Sequence, residues 1–162
     1  MQYYEKNGRY EAVKRNKNKI RVFEKLTIGL IVDKINKIEK VYHAKGCTIK
    51  QLKEAQNELG ITFPEEFVDY VKAFGAISFF GTEWTGLNVE SYLNVVDATK
   101  KERKINADFP TGCFVLENLA IDGLLTVVDE EGHVYSVQYD KKIPLCNSIS
   151  EYLELCVARK NK

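Results

Sequence analysis

Residues 48–75 read TIKQLKEAQNELGITFPEEFVDYVKAFG, and they contain two helices together with their start and stop signals. Thr48 and Gln51 have the spacing of a capping box, in which each side chain bonds the other residue's backbone amide. Gly60 and Gly75 are predicted to end the two helices, and Pro64 is predicted to open the second. Apolar residues at three- and four-residue steps give each helix one buried face: Ile49, Leu52, Ala55, Leu59, then Phe67, Tyr70, Val71, Phe74. Because only four residues join the helices, we expect them to pack as a pair.

Upstream of this pair, a third helix is predicted to end at Gly46. Its apolar face consists of Ile28, Ile31, Ile35, Ile38 and Tyr42. Residues 1–21 lack such periodicity and are interpreted as a solvated or weakly ordered arm. We therefore divide the chain into a basic N-terminal extension, residues 1–25, and one domain, residues 26–162.

Downstream of Gly75 the pattern changes to short strands and loops. Strands are predicted near Trp84 and over residues 92–96, 113–116, 124–128 and 134–139, with Gly132 in the hairpin between the last two. Asp97 is expected to cap a short charged helix, and Ser148 with Glu151 forms a second capping box that opens a terminal helix. This order predicts an α+β domain whose antiparallel sheet is covered by helices mainly on one face.

Charge is distributed unevenly along the chain, although the formal net charge is only +1. Residues 1–46 contain twelve Lys or Arg against five Asp or Glu, whereas residues 47–162 contain twelve against eighteen. Such a division bears on the choice of partner more than on the fold.

Several locations and classes of protein are disfavoured by composition. No apolar run approaches the roughly 20 residues that a membrane-spanning helix needs, and the first residues are too polar for a secretory signal. The four cysteines (Cys47, Cys113, Cys146 and Cys156) are far apart without a CxxC pair. We expect reduced, mostly buried thiols and a cytoplasmic protein.

The sequence gives little support for catalysis or for a bound cofactor. His43 and His133 have no metal-ligand partner at helical spacing, and no GxSxG, HExxH, Walker A or GxGxxG motif occurs. The adjacent acids Asp129, Glu130 and Glu131 lack the alternating spacing of a calcium loop. We therefore predict a protein that is not an enzyme and has neither a metal nor a cofactor.

Acidic residues of the C-terminal half have two interpretations, which the residues alone leave open. Glu83, Glu90, Glu117, Asp122 and Asp140, together with the 129–131 run, form either a patch for a basic partner or ordinary solubilising charge. Trp84 is equally compatible with a place in the core and with a role as an interface anchor. The basic arm could contact phosphates, but a solvated arm is favoured over direct nucleic-acid binding.

The order of these motifs resembles the SMI1/KNR4 (SUKH) family. The resemblance rests on Thr48-Ile49, Leu52, Ala55, Glu58-Leu59-Gly60, Pro64-Glu65-Glu66-Phe67 and Phe74-Gly75. It continues in FVLENLAIDGLLTVVDEEGHVYSVQYD (residues 114–140) and in residues 148–153, and it covers the chain from about Ile35 onward. Gln56 departs from the family, which commonly has an acid there. The chain is particularly similar to bacterial SUKH immunity proteins paired with LXG-type polymorphic toxins.

What this resemblance implies is an immunity protein, or antitoxin, that binds the C-terminal toxin domain of a cognate effector. The toxin domain of such systems is often a nuclease, whose basic surface an acidic partner would complement. Membrane binding and a small-molecule substrate are not expected. We predict a partner-binding surface formed by Glu83, Trp84, Glu117, Asp122, Asp129, Glu130 and Glu131. The alternatives are a non-catalytic regulatory scaffold of the same family and a nucleic-acid binder that uses the basic arm.

Overall fold

A computed structural model describes residues 29–159 and, in backbone outline only, residues 3–6 and 9–12. Its helices are α1 Leu30–Asn36, α2 Ile49–Leu59, α3 Glu65–Phe74, α4 Val95–Ile105 and α5 Ile149–Ala158, with a 3-10 helix at Ser91–Leu93. Its strands are β1 Tyr3–Lys6, β2 Arg9–Ala12, β3 Tyr42–His43, β4 Ile77–Phe79, β5 Thr82–Trp84, β6 Phe114–Asn118, β7 Leu125–Val128, β8 Val134–Gln138 and β9 Lys141–Cys146. The predicted α+β class is confirmed. The predicted domain boundary at residue 25 lies outside the described residues.

The helix pair α2–α3 forms as its sequence signals predict. Thr48 Oγ1 accepts from the Gln51 amide at 3.1 Å, and Gln51 Oε1 accepts from the Thr48 amide at 2.8 Å. Gly60 ends α2 with φ of 66°, a left-handed conformation that costs a glycine little. Both helices bury the predicted apolar faces, apart from Ile49, which is exposed.

Helix α1 is shorter than predicted. It ends at Asn36, and Lys40 has φ of 57°, so the chain leaves the helical path before Tyr42 and His43 pair with β4. Gly46 does not end a helix. It is needed instead for close packing, because a Cβ at this position would lie 2.0 Å from the carbonyl oxygen of Lys72 on α3.

Two antiparallel sheets form the rest of the core. The larger sheet has the strand order β6-β7-β8-β9, and the smaller has the order β3-β4-β5. The Thr85 amide donates to the Leu116 carbonyl at 2.8 Å, which joins the end of β5 to β6. Strand β9 was not predicted. Most of its side chains are exposed and it contains Pro144, which an edge strand tolerates.

The helices cover the larger sheet mainly on one face, as predicted. Phe67 of α3 packs on Phe114 of β6 with ring centroids 4.6 Å apart, and Tyr152 of α5 bonds Thr126 of β7. The opposite face holds a smaller cluster, which comprises Phe109, Cys113, Val115, Leu125, Val127 and Val137. None of the helices in the described ranges is long and apolar enough to cross a bilayer.

The segment before α4 corrects the sequence prediction of a strand over residues 92–96. Asn94 caps α4 instead, since its side chain accepts from the amides of Val96 and Asp97 at 2.9 and 3.1 Å. Asp97 therefore lies in the first turn and is not the cap. The residues before Asn94 form the 3-10 helix, which holds Tyr92 and Leu93 at the surface.

An antiparallel strand pair lies within the arm that the sequence predicted to be solvated or weakly ordered. Strands β1 and β2 pair from Tyr3↔Ala12 to Lys6↔Arg9. The signal that the sequence prediction missed is Asn7-Gly8, the dipeptide most typical of a two-residue hairpin connection.

Candidate protein-interaction surface

Trp84, one of the predicted interface residues, belongs to the core. Its side chain is fully buried and stacks on Tyr152 with ring centroids 6.0 Å apart and an interplanar angle of 15°. Tyr70 approaches its edge with a centroid distance of 5.5 Å. The prediction that Trp84 contacts a partner is therefore corrected, because aromatic neighbours on α3 and α5 already cover it.

Glu117 is also buried, and its carboxylate is fully partnered inside the protein. A register shift between Val115 and Glu117 places Glu117 opposite Thr126, on the face that α5 covers. There its oxygens accept from Arg159 Nη1 at 2.9 Å and from the Tyr152 hydroxyl at 2.5 Å. The prediction of a surface role for Glu117 is corrected, because the β-bulge turns the side chain inward and α5 supplies its partners.

The surroundings of Glu117 hold two further titratable groups in their ordinary protonation states. Burial, with the Glu117 charge beside it, raises the pKa of the Cys156 thiol to about 12. Burial alone would lower the pKa of Arg159, but its neighbours Tyr152, Cys156 and Glu117 raise it above the ordinary value. All four cysteines are free, and Cys113 and Cys156 are buried. Cys156 is therefore a buried, protonated thiol, which is a poor nucleophile.

The β7–β8 hairpin tip, residues 129–133, uses two of its three carboxylates internally. Asp129 Oδ1 accepts from the amides of Glu131 and His133 at 3.0 and 2.9 Å, and Oδ2 accepts from the Tyr135 hydroxyl at 2.9 Å. Burial tends to raise the pKa of Asp129, but these hydrogen bonds, first that from Tyr135, lower it below its ordinary value. Glu130 Oε1 accepts from the Thr62 amide at 2.8 Å and so holds the tip against the α2–α3 joint.

Three potential metal ligands meet at this tip. Ligand atoms of Asp129, Glu131 and His133 all lie within 4.8 Å of one another. The Asp129 oxygens already accept three hydrogen bonds, and Oδ2 also lies 3.3 Å from His133 Nδ1. We therefore assign Asp129 a structural role in the turn.

The exposed residues of the predicted interface lie on different elements. Asp122 precedes β7, whereas Asp129 follows it, so four strand residues with a rise of about 3.3 Å each separate the two ends. Asp122 Oδ1 accepts from the Tyr139 hydroxyl at 2.8 Å and holds its own end of the sheet. Glu83 is exposed on β5, which belongs to the smaller sheet.

A different set of carboxylates does come together, around two adjoining grooves. The first groove, of about 380 Å³, lies between α2 and the start of α4, and its lining is mainly polar, with Ala55, Leu87 and Val96 contributing a smaller apolar part. The second, of about 280 Å³, lies between β5, the 3-10 helix and α4. Asp97 lines both. We call the carboxylates that line the two grooves the acidic face: Glu54, Glu58, Glu83, Glu90, Asp97 and Glu102.

The acidic face has an excess of negative charge that internal pairing leaves available. Among the described residues that line the grooves, Lys101 is the only cation. Lys100 pairs with Glu58 at 2.9 Å. In the described part of the chain, no hydrogen bond or salt bridge engages the carboxylates of Glu90, Asp97 or Glu102. Such a concave, negatively charged surface favours a basic partner and repels phosphates.

Most of this face escaped the sequence analysis: the predicted interface included only Glu83 from it, and the broader set of candidate acids added only Glu90. Glu54 and Glu58 are four residues apart on α2, a spacing that places them on one side of the helix. That spacing does not reveal which other element the side faces. The remaining members come from β5, the loop before the 3-10 helix, and α4, and only the fold brings them together.

Comparison with known proteins identifies a family whose model matches the region that contains the acidic face. The SUKH model described as "SMI1-KNR4 cell-wall" matches residues 49–153, which is more than half of the chain. The match begins at the first residue of α2 and ends within α5, so it includes all six residues of the acidic face. A search of curated proteins found no match.

Proposed function

Because this chain belongs to the SMI1/KNR4 (SUKH) family, we propose that it is an immunity protein that binds and neutralises a cognate toxin domain. The family supports a role in protein interaction. The single observation that carries the proposal further is the acidic face, whose six carboxylates surround two grooves, the second of which is lined largely by apolar surface. A charged surface of this shape provides both attraction at a distance and a place for the partner's side chains.

The proposed partner is the C-terminal domain of an LXG-type toxin, and a nuclease fits best. A nuclease is basic where it holds phosphates, so its substrate-binding surface is the electrostatic complement of the acidic face. By occupying that surface, the immunity protein would exclude the nucleic acid without any chemical step. It would therefore act as a non-catalytic inhibitor in the cytoplasm of the producing cell, with neither a metal nor a cofactor.

Growth rescue tests this function. The toxin domain encoded beside the gene is expressed from an inducible promoter in a naive host, with the intact chain, with an empty vector, or with an acidic-face variant. That variant carries Glu90→Gln, Asp97→Asn and Glu102→Gln, three carboxylates that make no hydrogen bond within the described residues. We expect rescue and a co-purifying complex with the intact chain, and reduced rescue with the variant.

A matched control distinguishes the loss of charge on the acidic face from the loss of the same charge elsewhere on the surface. Asp108→Asn, Glu131→Gln and Asp140→Asn together remove the same charge from exposed positions that line neither groove. We expect full rescue by this control. Rescue lost in the control and kept in the acidic-face variant would move the interface to the hairpin side, where the sequence had predicted it.

The second candidate is a regulatory scaffold of the same family, which the "cell-wall" description of the matching model favours. A scaffold that is soluble and folded would not rescue growth, and its gene need not lie beside a toxin gene. Deleting residues 1–21 distinguishes a nucleic-acid binder from an immunity protein. The deletion would abolish a function that depends on the basic arm, whereas an immunity protein would keep its rescue activity.

A further inference from the structure

The second groove is a pocket suited to one positively charged side chain. We propose that the pocket between β5, the 3-10 helix and α4 receives an arginine or lysine side chain of a protein partner. The proposal rests on the proposed function for the identity of that partner, but the pocket's preference for a cation is testable without it. Its volume of about 280 Å³ lies just below the 300–1,000 Å³ typical of sites for drug-sized ligands, so a single side chain is the appropriate occupant.

Charge is the first feature that selects a cation. Glu83, Asp97 and Glu102 line the pocket, against Lys101 alone among the described residues there. The carboxylates of Asp97 and Glu102 make no hydrogen bond or salt bridge within the described residues. Their acceptor capacity is therefore free for the N–H groups of a guanidinium or an ammonium group.

Tyr92 is the second feature. It lines the pocket, 64% of it is exposed, and its hydroxyl donates to Glu83 Oε2 at 2.9 Å. This bond fixes the position of the ring relative to the Glu83 carboxylate. A cation above the ring would be attracted by its π electrons and by the carboxylate at the same time. Surface carboxylates scattered on a helix lack this combination.

The apolar floor is the third feature. Leu93, Ala98 and Val115 line the pocket, and they can pack against the methylene groups of a long side chain. The Thr85 hydroxyl, also at the floor, already donates to the Val115 carbonyl at 2.8 Å. The polar capacity therefore lies at the rim and the apolar surface below it, which matches the distribution of polarity along arginine and lysine.

Two short peptides on the full chain provide the test. The probes are acetyl-Gly-Arg-Gly-amide and the same peptide with citrulline, which replaces the guanidinium by a neutral urea of almost the same shape. Binding is followed by backbone NMR shifts in buffer of low ionic strength. We expect saturable shifts at Tyr92, Leu93 and Ala98 with arginine, at millimolar affinity because exposed ion pairs each contribute little. We expect none with citrulline.

Variants give a second readout. Asp97→Asn with Glu102→Gln should weaken arginine-peptide binding at least about tenfold, which corresponds to about 1.4 kcal/mol. The control Asp108→Asn with Asp140→Asn should bind as the unmodified chain does. Equal binding of the arginine and citrulline peptides would overturn the proposal, as would chemical-shift changes that map outside the pocket. Both results come from the unmodified, folded chain, so misfolding of a variant cannot explain them.

The outcome is independent of the immunity test. If the chain prefers the arginine peptide but does not rescue growth, the pocket binds a cationic side chain and the proposed toxin partner is wrong. If the chain rescues growth but does not prefer the arginine peptide, the immunity function is supported and the pocket does not bind a cationic side chain of the partner.

Discussion

At the scale of single residues, the Glu117–Arg159 pair decides how the last helix is held on the sheet. Glu117 is 3% exposed, and a buried carboxylate is stable only when its charge and lone pairs are satisfied. Arg159, just after α5, provides the compensating charge at 2.9 Å, and its Nη2 also donates to the Tyr152 hydroxyl at 2.8 Å. These contacts connect the end of α5 to β6, an edge strand of the larger sheet.

Removing Arg159 should therefore destabilise the fold without affecting the acidic face. We expect Arg159→Ala to lower the free energy of unfolding by about 2 kcal/mol, less than for a fully buried pair because part of Arg159 is in contact with solvent. Arg159→Lys should lose about half as much, since it keeps the charge and loses the two-pronged geometry. Urea denaturation measures both. A loss below about 0.5 kcal/mol for Arg159→Ala, the level of ordinary surface substitutions, would show that the pair does not stabilise α5.

At the scale of elements, the β7–β8 hairpin is shaped by one side chain at its tip. Asp129 satisfies two backbone amides of the turn and the Tyr135 hydroxyl, while Glu130 ties the same tip to the α2–α3 joint. The run of three acids that looks in the sequence like a binding loop is therefore largely internal support. Within the part of the chain that the structure describes, Glu131 is the one member of the run whose side chain makes no hydrogen bond.

The pH dependence of stability should report this support. The folded state lowers the pKa of Asp129 below its ordinary value of 3.8, so the charged carboxylate stabilises the folded protein above that value. Asp129→Asn should cost about 1 kcal/mol at pH 7, and the difference from the unmodified chain should disappear as the pH falls from about 5 to about 2.

Glu131→Gln is the matched control for the hairpin, since it removes an adjacent charge that makes no hydrogen bond to any described residue. Urea denaturation of both variants across this pH range provides the measurement. Identical pH profiles for the two variants would mean that Asp129 stabilises the turn no more than an exposed carboxylate does.

At the scale of the whole molecule, charge is sorted by position in the fold as well as along the chain. The excess of acids in residues 47–162 is concentrated in part on the acidic face, where α2, β5, the loop before the 3-10 helix and α4 bring six carboxylates together. A field from such a surface accelerates encounter with a basic partner more than it slows dissociation.

Binding of the proposed toxin partner should therefore depend on salt mainly through its association rate. We expect that rate to fall about tenfold or more from low to high ionic strength, with little change in dissociation. Stopped-flow mixing or biolayer interferometry measures both rates. The acidic-face variant should show a flatter salt dependence, whereas the Asp108, Glu131 and Asp140 control should follow the unmodified chain. If the association rates of all three proteins depend equally on ionic strength, the acidic face does not attract the partner electrostatically.

Predictions from sequence succeeded where the deciding interactions are local. The Thr48–Gln51 capping box and the left-handed Gly60 involve residues a few positions apart, so α2 and its limits could be read directly. Helix α1 was overextended because its apolar spacing continues to Tyr42, while pairing with β4 takes that residue into a strand. Strand β9 was missed because an exposed edge strand has no apolar alternation to detect.

The sequence by itself determined the α+β class, the α2–α3 pair, the central hairpin and the membership of a family that binds other proteins. Only the tertiary structure decided which acids face solvent. The register shift in β6 turns Glu117 inward, the turn at Asp129 uses its carboxylate internally, and α2, β5, the loop before the 3-10 helix and α4 assemble the acidic face. The physical reason is that helix caps and hydrophobic periods act over a few residues, whereas the burial of a charge depends on neighbours that are far apart in the chain.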